Sequence, residues 1–242
     1  MSGNAPVPVD VPDAAARVAV DEAITSRRSI RRFLPTPVAR EVLEDILRVA
    51  ARSPSGANTQ PWRVHVLTGA SQQRLMEAVR VVNDDPAALA AQPPDEYAYY
   101  PEAWRSPYID RRRTVGFALY KLLGIEKGDK LHMKEQHARN FLCFDAPVGL
   151  VFTIDRDLNQ GSWLDYGMFL QSIMVAARGR GLHTCAQAAW IHFHNVIARE
   201  LALPPEQMVV CGMSLGFADP GAVENTLVSD REPVAGFASF HG

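Results

Sequence analysis

Three segments of this chain read as strands, residues 62–68, 147–154 and 207–217, and helical hydrophobic periods fill the long stretches between them. No hairpin can join strands so far apart. A sheet connected this way must have helices laid on its apolar faces, so the expected architecture is an α+β or α/β sheet covered by helices. Helical patterns run over 21–28, 71–82, 112–123, 128–144, 161–181 and 192–201. Thr36-Pro37 opens a further helix in which Val38, Val42, Leu43, Ile46, Leu47 and Ala50 form one stripe. In the helix over 161–181, Met168, Phe169, Ile173, Met174, Ala176 and Ala177 are expected to face inward, and Gly179 and Gly181 to end it. In the first strand Trp62, Val64 and Val66 share one face, Arg63 and His65 the other. The pattern fails over 83–110, where five prolines mix with Tyr97, Tyr99, Tyr100, Trp104 and Tyr108. Loops this long inside a compact domain tend to be lids or binding segments. Beyond Asp219 there is no helical period, and the stretch reads as an extended arm.

Composition narrows the class. A chain of 242 residues with 47% hydrophobic content buries a full core and reads as a single domain. A net charge of -2 provides neither a basic field for nucleic acid nor an acidic tail. Residues 1–10 lack a positive patch followed by an apolar run, and no stretch is apolar enough to cross a bilayer, so a soluble cytoplasmic protein is expected. Cys143, Cys185 and Cys211 are odd in number and widely spaced, which reads as buried thiols rather than a disulfide or zinc framework.

Two constellations carry chemistry. Arg27, Arg28, Ser29, Arg31 and Arg32 concentrate four guanidinium groups and a hydroxyl after a helical pattern. A charge run is usually a solvated face, but this mixture also suits a phosphate, whose oxygens accept forked guanidinium hydrogen bonds. The second is the turn-rich loop 53–62, in which the amides of Asn58 and Gln60 present donor and acceptor together and suit the polar edge of a flavin pyrimidine ring.

An early Arg-Arg-Ser-x-Arg followed about two dozen residues later by Ser-Pro-Ser-Gly-Ala-Asn-Thr-Gln-Pro-Trp resembles the paired signature of the nitroreductase family. The likeness continues through Ala146-Pro147-Val148-Gly149, Thr184 to Trp190, and the close Gly216-Phe217-Ala218-Asp219-Pro220 with Asn225 and Arg231-Glu232-Pro233. It leaves out the N-terminal extension, 1–19, and the insert around 83–131, and it looks closest to the branch containing nitrobenzoate reductases.

That resemblance implies an α+β fold with a mostly antiparallel sheet flanked by helices, and an interlocked homodimer exchanging its C-terminal arms, 219–242. It implies FMN as cofactor, NAD(P)H as donor and ping-pong transfer to small aromatic acceptors, nitroaromatics first, with no catalytic side chain beyond the flavin. Relatives of the same family reduce quinones, enones or halogenated aromatics. Carried over by position, Arg27, Ser29 and Arg231 bind the phosphate, Arg28 lies on the ribityl side, and Arg31 sits by the N1 and O2 edge. There a fixed cation stabilises the reduced ring. Pro54, Ser55, Asn58 and Gln60 reach the flavin from the other subunit, and Gln187, Ala188 and Ala189 supply the backbone near N5. Ser229 stands where some relatives have lysine, and Ala188-Ala189 where some have Glu-Gly. The substrate wall does not transfer; Tyr97, Tyr99, Tyr100 and Trp104 are offered for it on composition, with core or interface packing as the alternative.

Two rival readings remain on the sequence. Gly212-Met213-Ser214-Leu215-Gly216 matches the Gly-x-Ser-x-Gly elbow of a serine hydrolase, although Phe217 to Gly221 cannot continue into a long helix. His192 and His194 invite a metal, but residues two apart diverge on a helix, and solvated imidazoles are expected there.

Overall fold

A computed structural model describes residues 13–242, so residues 1–12 of the expected N-terminal extension lie outside it. The elements in order are α1 (Ala14–Thr25), α2 (Arg40–Ala50), β1 (Arg63–Thr68), α3 (Gly69–Asp84), α4 (Pro86–Ala90), α5 (Tyr108–Leu122) and α6 (Lys130–Ala138). Then follow β2 (Val148–Asp155), α7 (Gln160–Arg178), β3 (His183–Gln187), α8 (His194–Glu200), β4 (Gln207–Gly216) and the single turn α9 (Val234–Phe237).

The four strands form one sheet in the order β1-β2-β4-β3, and every pairing is antiparallel, which settles the open choice in favour of α+β. Both faces are covered. Leu43, Ile46 and Ala50 of α2 and Phe169, Ile173 and Ala177 of α7 pack on Leu150, Phe152, Ile154, Met213 and Leu215. Leu75 and Val79 of α3 with Val196 and Ile197 of α8 pack against Val151, Val209 and Cys185 opposite. This double burial is why β2 and β4 read as unbroken apolar runs rather than alternating ones. All three cysteines are free and buried, and burial raises their thiols, Cys143 to about 11.

Several expectations shift. The first helix is not 21–28 but α1, which starts seven residues earlier because the Asp13 carboxylate accepts from Ala16 N–H at 2.6 Å and caps it. The arginine run therefore leaves the helix, and Ser29 and Phe33 form isolated bridges to Thr184 and Ala218 instead. The helix expected over 128–144 stops at Ala138 and tightens into a 3-10 turn, Arg139–Asp145, in which Cys143, Phe144 and Asp145 all have positive φ. β3 had no period to betray it, and α9 adds one turn to an arm expected to be extended. Met168, expected inward, is exposed, and so is Val66 on β1.

β4 carries one extra residue: Phe152 pairs with Cys211 and Thr153 with Val209, leaving Val210 between them as a bulge. The Tyr97 hydroxyl donates to the Val210 carbonyl, and the Glu96 carboxylate accepts from Val209 N–H. The long insert is thereby tied to the sheet at Val209 and Val210, just before Cys211 and close to where β3 ends opposite Gly212.

Candidate functional site

Ile30 and Phe33 are buried anchors, and with Ile30 N–H donating to the Thr184 carbonyl they lay the segment 27–33 beside the start of β3. Arg27, Arg28, Ser29 and Arg31 then line a cavity of about 680 Å³, joined there by Ser229 and Arg231 from the arm and by Val115 of α5. Two segments some two hundred residues apart thus converge. Among the described residues none of these four arginines has a carboxylate partner, whereas Arg32 pairs with Asp145 and Glu224, Arg111 with Glu232, Arg156 with Glu96 and Arg180 with Asp45. Burial and then the neighbouring Arg231 both disfavour the charge on Arg27, whose pKa is lowered. Uncompensated guanidinium groups around one cavity are a site for a multiply charged anion, and phosphate fits that donor set.

Of the residues holding this arrangement, Asn225 and Ser229 entered the sequence reading only through the family likeness, with no role assigned to Asn225, and Arg139 carried no sequence signal. Asn225, nearly buried, accepts from Arg31 N–H at 2.8 Å and Arg32 N–H at 3.2 Å, and donates to the Arg32 carbonyl at 2.8 Å and the Asp219 carbonyl at 3.0 Å. Arg139 donates to the Arg31 carbonyl at 3.2 Å. The backbone of Arg31 is held at both ends while its guanidinium stays on the cavity wall. On the arm, Arg231 donates to the Ser229 carbonyl and hydroxyl at 3.0 and 2.8 Å, so Ser229 orients the arginine next to it.

Gln187 ends β3 with its side chain turned inward: it donates to the Asn140 carbonyl at 2.6 Å and accepts from the Ser214 hydroxyl at 2.6 Å. Only its backbone, with Ala188 and Ala189 after it, is left to meet a ligand. Ser214 is fully buried within β4, paired on both sides with Gly149 of β2 and Cys185 of β3, not on a strand-to-helix elbow. The two glycines around it have packing reasons. A Cβ on Gly212 would stand 2.4 Å from the Trp190 ring, and one on Gly216 would stand 2.7 Å from Pro147. The hydrolase reading is thereby removed.

Pro54, Ser55, Asn58 and Gln60 do not line the arginine cavity of their own chain. Their loop is mostly exposed, with Ala57, Asn58 and Gln60 at positive φ. It is fixed by Gln60 N–H donating to the Ser55 hydroxyl at 3.0 Å and Gly56 N–H donating to the Asp165 carboxylate of α7 at 3.0 Å. In the insert, Tyr97 packs on Trp163 and is occupied by Val210, while Tyr99 and Tyr100 stay largely exposed and Tyr100 tilts against Trp104. His192 is bonded to Asp95, and His194 lies part-buried beside Glu96 rather than solvated. Among the described residues no group of side chains could hold a metal ion, and no helix is long and apolar enough to cross a membrane.

Comparison with known proteins locates this architecture. The model of the nitroreductase family matches residues 24–217. The chain is 43% identical over 222 residues to a 4-nitrobenzoate reductase of Pseudomonas putida, covering 92% of this chain and 95% of the relative. It is likewise 43% identical to a nitrobenzene nitroreductase of Ectopseudomonas oleovorans, covering 91% and 96%. Among solved structures, an FMN and NADPH-dependent nitroreductase, NfnB, of a sphigopyxis strain superposes with a TM-score of 0.87 at 34% identity, covering 92% of this chain and 99% of that one.

Proposed function

Since this chain belongs to the nitroreductase family, we propose that it holds FMN with its phosphate in the cavity of Arg27, Ser29 and Arg231 and reduces nitroaromatic acceptors at the expense of NAD(P)H. The observation that carries the reading is the set of four guanidinium groups around one cavity that have no carboxylate partner among the described residues. A phosphate monoester supplies the missing charge and accepts the forked hydrogen bonds.

When bound, FMN supplies the two-electron exchange between nicotinamide and acceptor. The chain's own part is positional and electrostatic. Arg28 would lie along the ribityl side, and Arg31, its backbone clamped by Asn225 and Arg139, would set a fixed cation against the ring edge that gains negative charge on reduction. Ala188 and Ala189, with no bulk beyond a methyl group, let the backbone after Gln187 approach the opposite edge. Pro54, Ser55, Asn58 and Gln60 serve the flavin of a twin subunit, which accounts for a hydrogen-bonded polar loop that contributes nothing to its own chain's cavity.

A homodimer is part of this reading. Val18, Val20 and Ile24 leave α1 with no buried residue, Leu164 and Met168 are exposed on α7, and Phe237 and Phe240 are 70% and 88% exposed on the arm. Among the described residues the outer edge of β1 pairs with no strand, and it borders a groove of about 980 Å³ lined by Leu47, Val66, Met76 and Leu142, which suits the exchanged arm of the twin. The domain is single, with 83–131 as an insert over the site, and a cytoplasmic setting supplies the reductant.

The purified protein is expected to be yellow, to release FMN on denaturation, to bleach anaerobically with NADH or NADPH and to regain colour on adding 4-nitrobenzoate or nitrobenzene. Arg27→Ala and Arg231→Ala are each expected to weaken FMN binding by on the order of tenfold or more. A colourless protein that takes up no FMN overturns the proposal.

A further inference from the structure

Three arginines in succession, Arg111, Arg112 and Arg113, lie on the first turns of α5. Arg111 is neutralised by Glu232 of the arm. Arg112 is not: its guanidinium carbon stands 4.8 Å from the Trp104 ring centroid and 5.4 Å from that of Tyr100, with no hydrogen-bond or ion-pair partner among the described residues. A guanidinium laid over aromatic faces is held in orientation by the ring quadrupoles while the N–H groups in its plane stay free. That is a preset fork for a carboxylate. Tyr99 and Tyr100, edge to face at 4.7 Å and each 55% exposed, add aromatic surface next to it.

The position of this cluster ties it to the proposed site. Glu96 and Tyr97 fasten the insert at the β4 bulge, and Asp95 bonds His192 in the turn that follows Ala188 and Ala189. Val115, one helical turn beyond Arg112, lines the arginine cavity itself. Resting on the flavoenzyme reading above, we propose that Arg112, seated on Tyr100 and Trp104, is a specificity-determining residue that binds the carboxylate of aromatic-acid acceptors. The chain therefore favours nitrobenzoates over neutral nitroarenes, two acceptor classes named for relatives of equal identity.

The test compares 4-nitrobenzoate with nitrobenzene in the intact holoenzyme. Arg112→Gln is expected to lower kcat/KM for 4-nitrobenzoate on the order of ten- to a hundredfold, through KM, with nitrobenzene changed less than twofold. Arg112→Lys, which keeps the charge but loses the fork, should fall between, and Arg113→Gln should change neither. Equal losses on both acceptors would show Arg112 merely holding the insert together. A rise confined to the KM for NADPH would assign it to the reductant's phosphate. Either result, or no change, overturns the proposal. Benzoate titration followed by tryptophan fluorescence reads the same contact without turnover: saturable binding weakened by Arg112→Gln supports the proposal, and none to the wild type overturns it. Benzoate binding to a protein that takes no FMN would sink the flavoenzyme reading alone.

Discussion

Asn225 spends its whole amide on holding the arginine segment, accepting from two backbone N–H groups and donating to two carbonyls. Truncation to alanine leaves these groups unmatched in a nearly buried place, so Asn225→Ala is expected to cost about 1–3 kcal/mol of stability. It should also weaken FMN binding at a temperature where the variant is still folded, because Arg31 loses its register. Thermal unfolding and flavin titration measure the two effects separately, and unchanged affinity would reduce Asn225 to a purely structural residue. Ser214→Ala belongs to the same scale but has the opposite signature. It strips the buried Gln187 side-chain oxygen, Oε1, of its donor, so stability should fall by about 1–3 kcal/mol while FMN content and reductase chemistry persist. The difference in legibility between these residues is physical. The arginines stood out because a cluster of like charge is visible in one dimension, and their meaning shows only in three, where Arg32 meets Asp145 and Glu224 while Arg27, Arg28 and Arg31 have no carboxylate partner among the described residues. Asn225 bonds across 194 positions of sequence, and nothing local marks an asparagine that does so.

Elements with a burial period long enough to repeat were readable, and α2, α3, α7, β2 and β4 lie close to where their stripes place them. β3 did not announce itself, since five residues, His-Thr-Cys-Ala-Gln, alternate too briefly and owe their strand geometry to β4. The left-handed run at Cys143 to Asp145 is equally silent, because no glycine marks it; Arg32 and Arg139 hold its end through Asp145. β3 also opens on a titrating group. His183 is driven down to about 4 by burial, then by the adjacent Arg178 and Arg28 cations. The unfolded chain binds that proton more readily, near the ordinary value of 6.5, so stability from this source is full above about pH 6.5 and is lost as pH falls toward 4. His65 and His137 are also lowered by burial and act in the same direction, so the difference between wild type and His183→Gln isolates the residue. Melting temperatures recorded from pH 7 to 4 should fall less steeply in the variant; parallel curves would remove His183 as the cause.

At the scale of the whole molecule the surface area argues for a partner. A compact monomer of 26.7 kDa is expected to expose roughly 10,700 Å². This chain exposes 15168 Å². Even a fully extended stretch of twelve residues would account for only roughly 1,900 Å² of the difference. What remains, roughly 2,500 Å² on one subunit, lies at the upper end of what obligate homodimers bury per chain. The exposed surface is apolar on α1, on α7 and on the arm, where Phe237 and Phe240 belong to neither core cluster of the described residues, as the proposed dimer requires. Replacing both phenylalanines with serine removes apolar area from the proposed arm exchange and leaves both core clusters of the described residues intact. The double variant is expected to keep its helical content and to sediment with a concentration-dependent monomer fraction. On the proposed shared site it should bind FMN more weakly than wild type, because the loop carrying Ser55 and Asn58 would lose its place against the neighbour's flavin. Sedimentation velocity with flavin absorbance as the second channel reads association and cofactor together. A monomer that retains FMN tightly would contradict the shared site and would leave the arginine cavity to bind the cofactor from one chain alone.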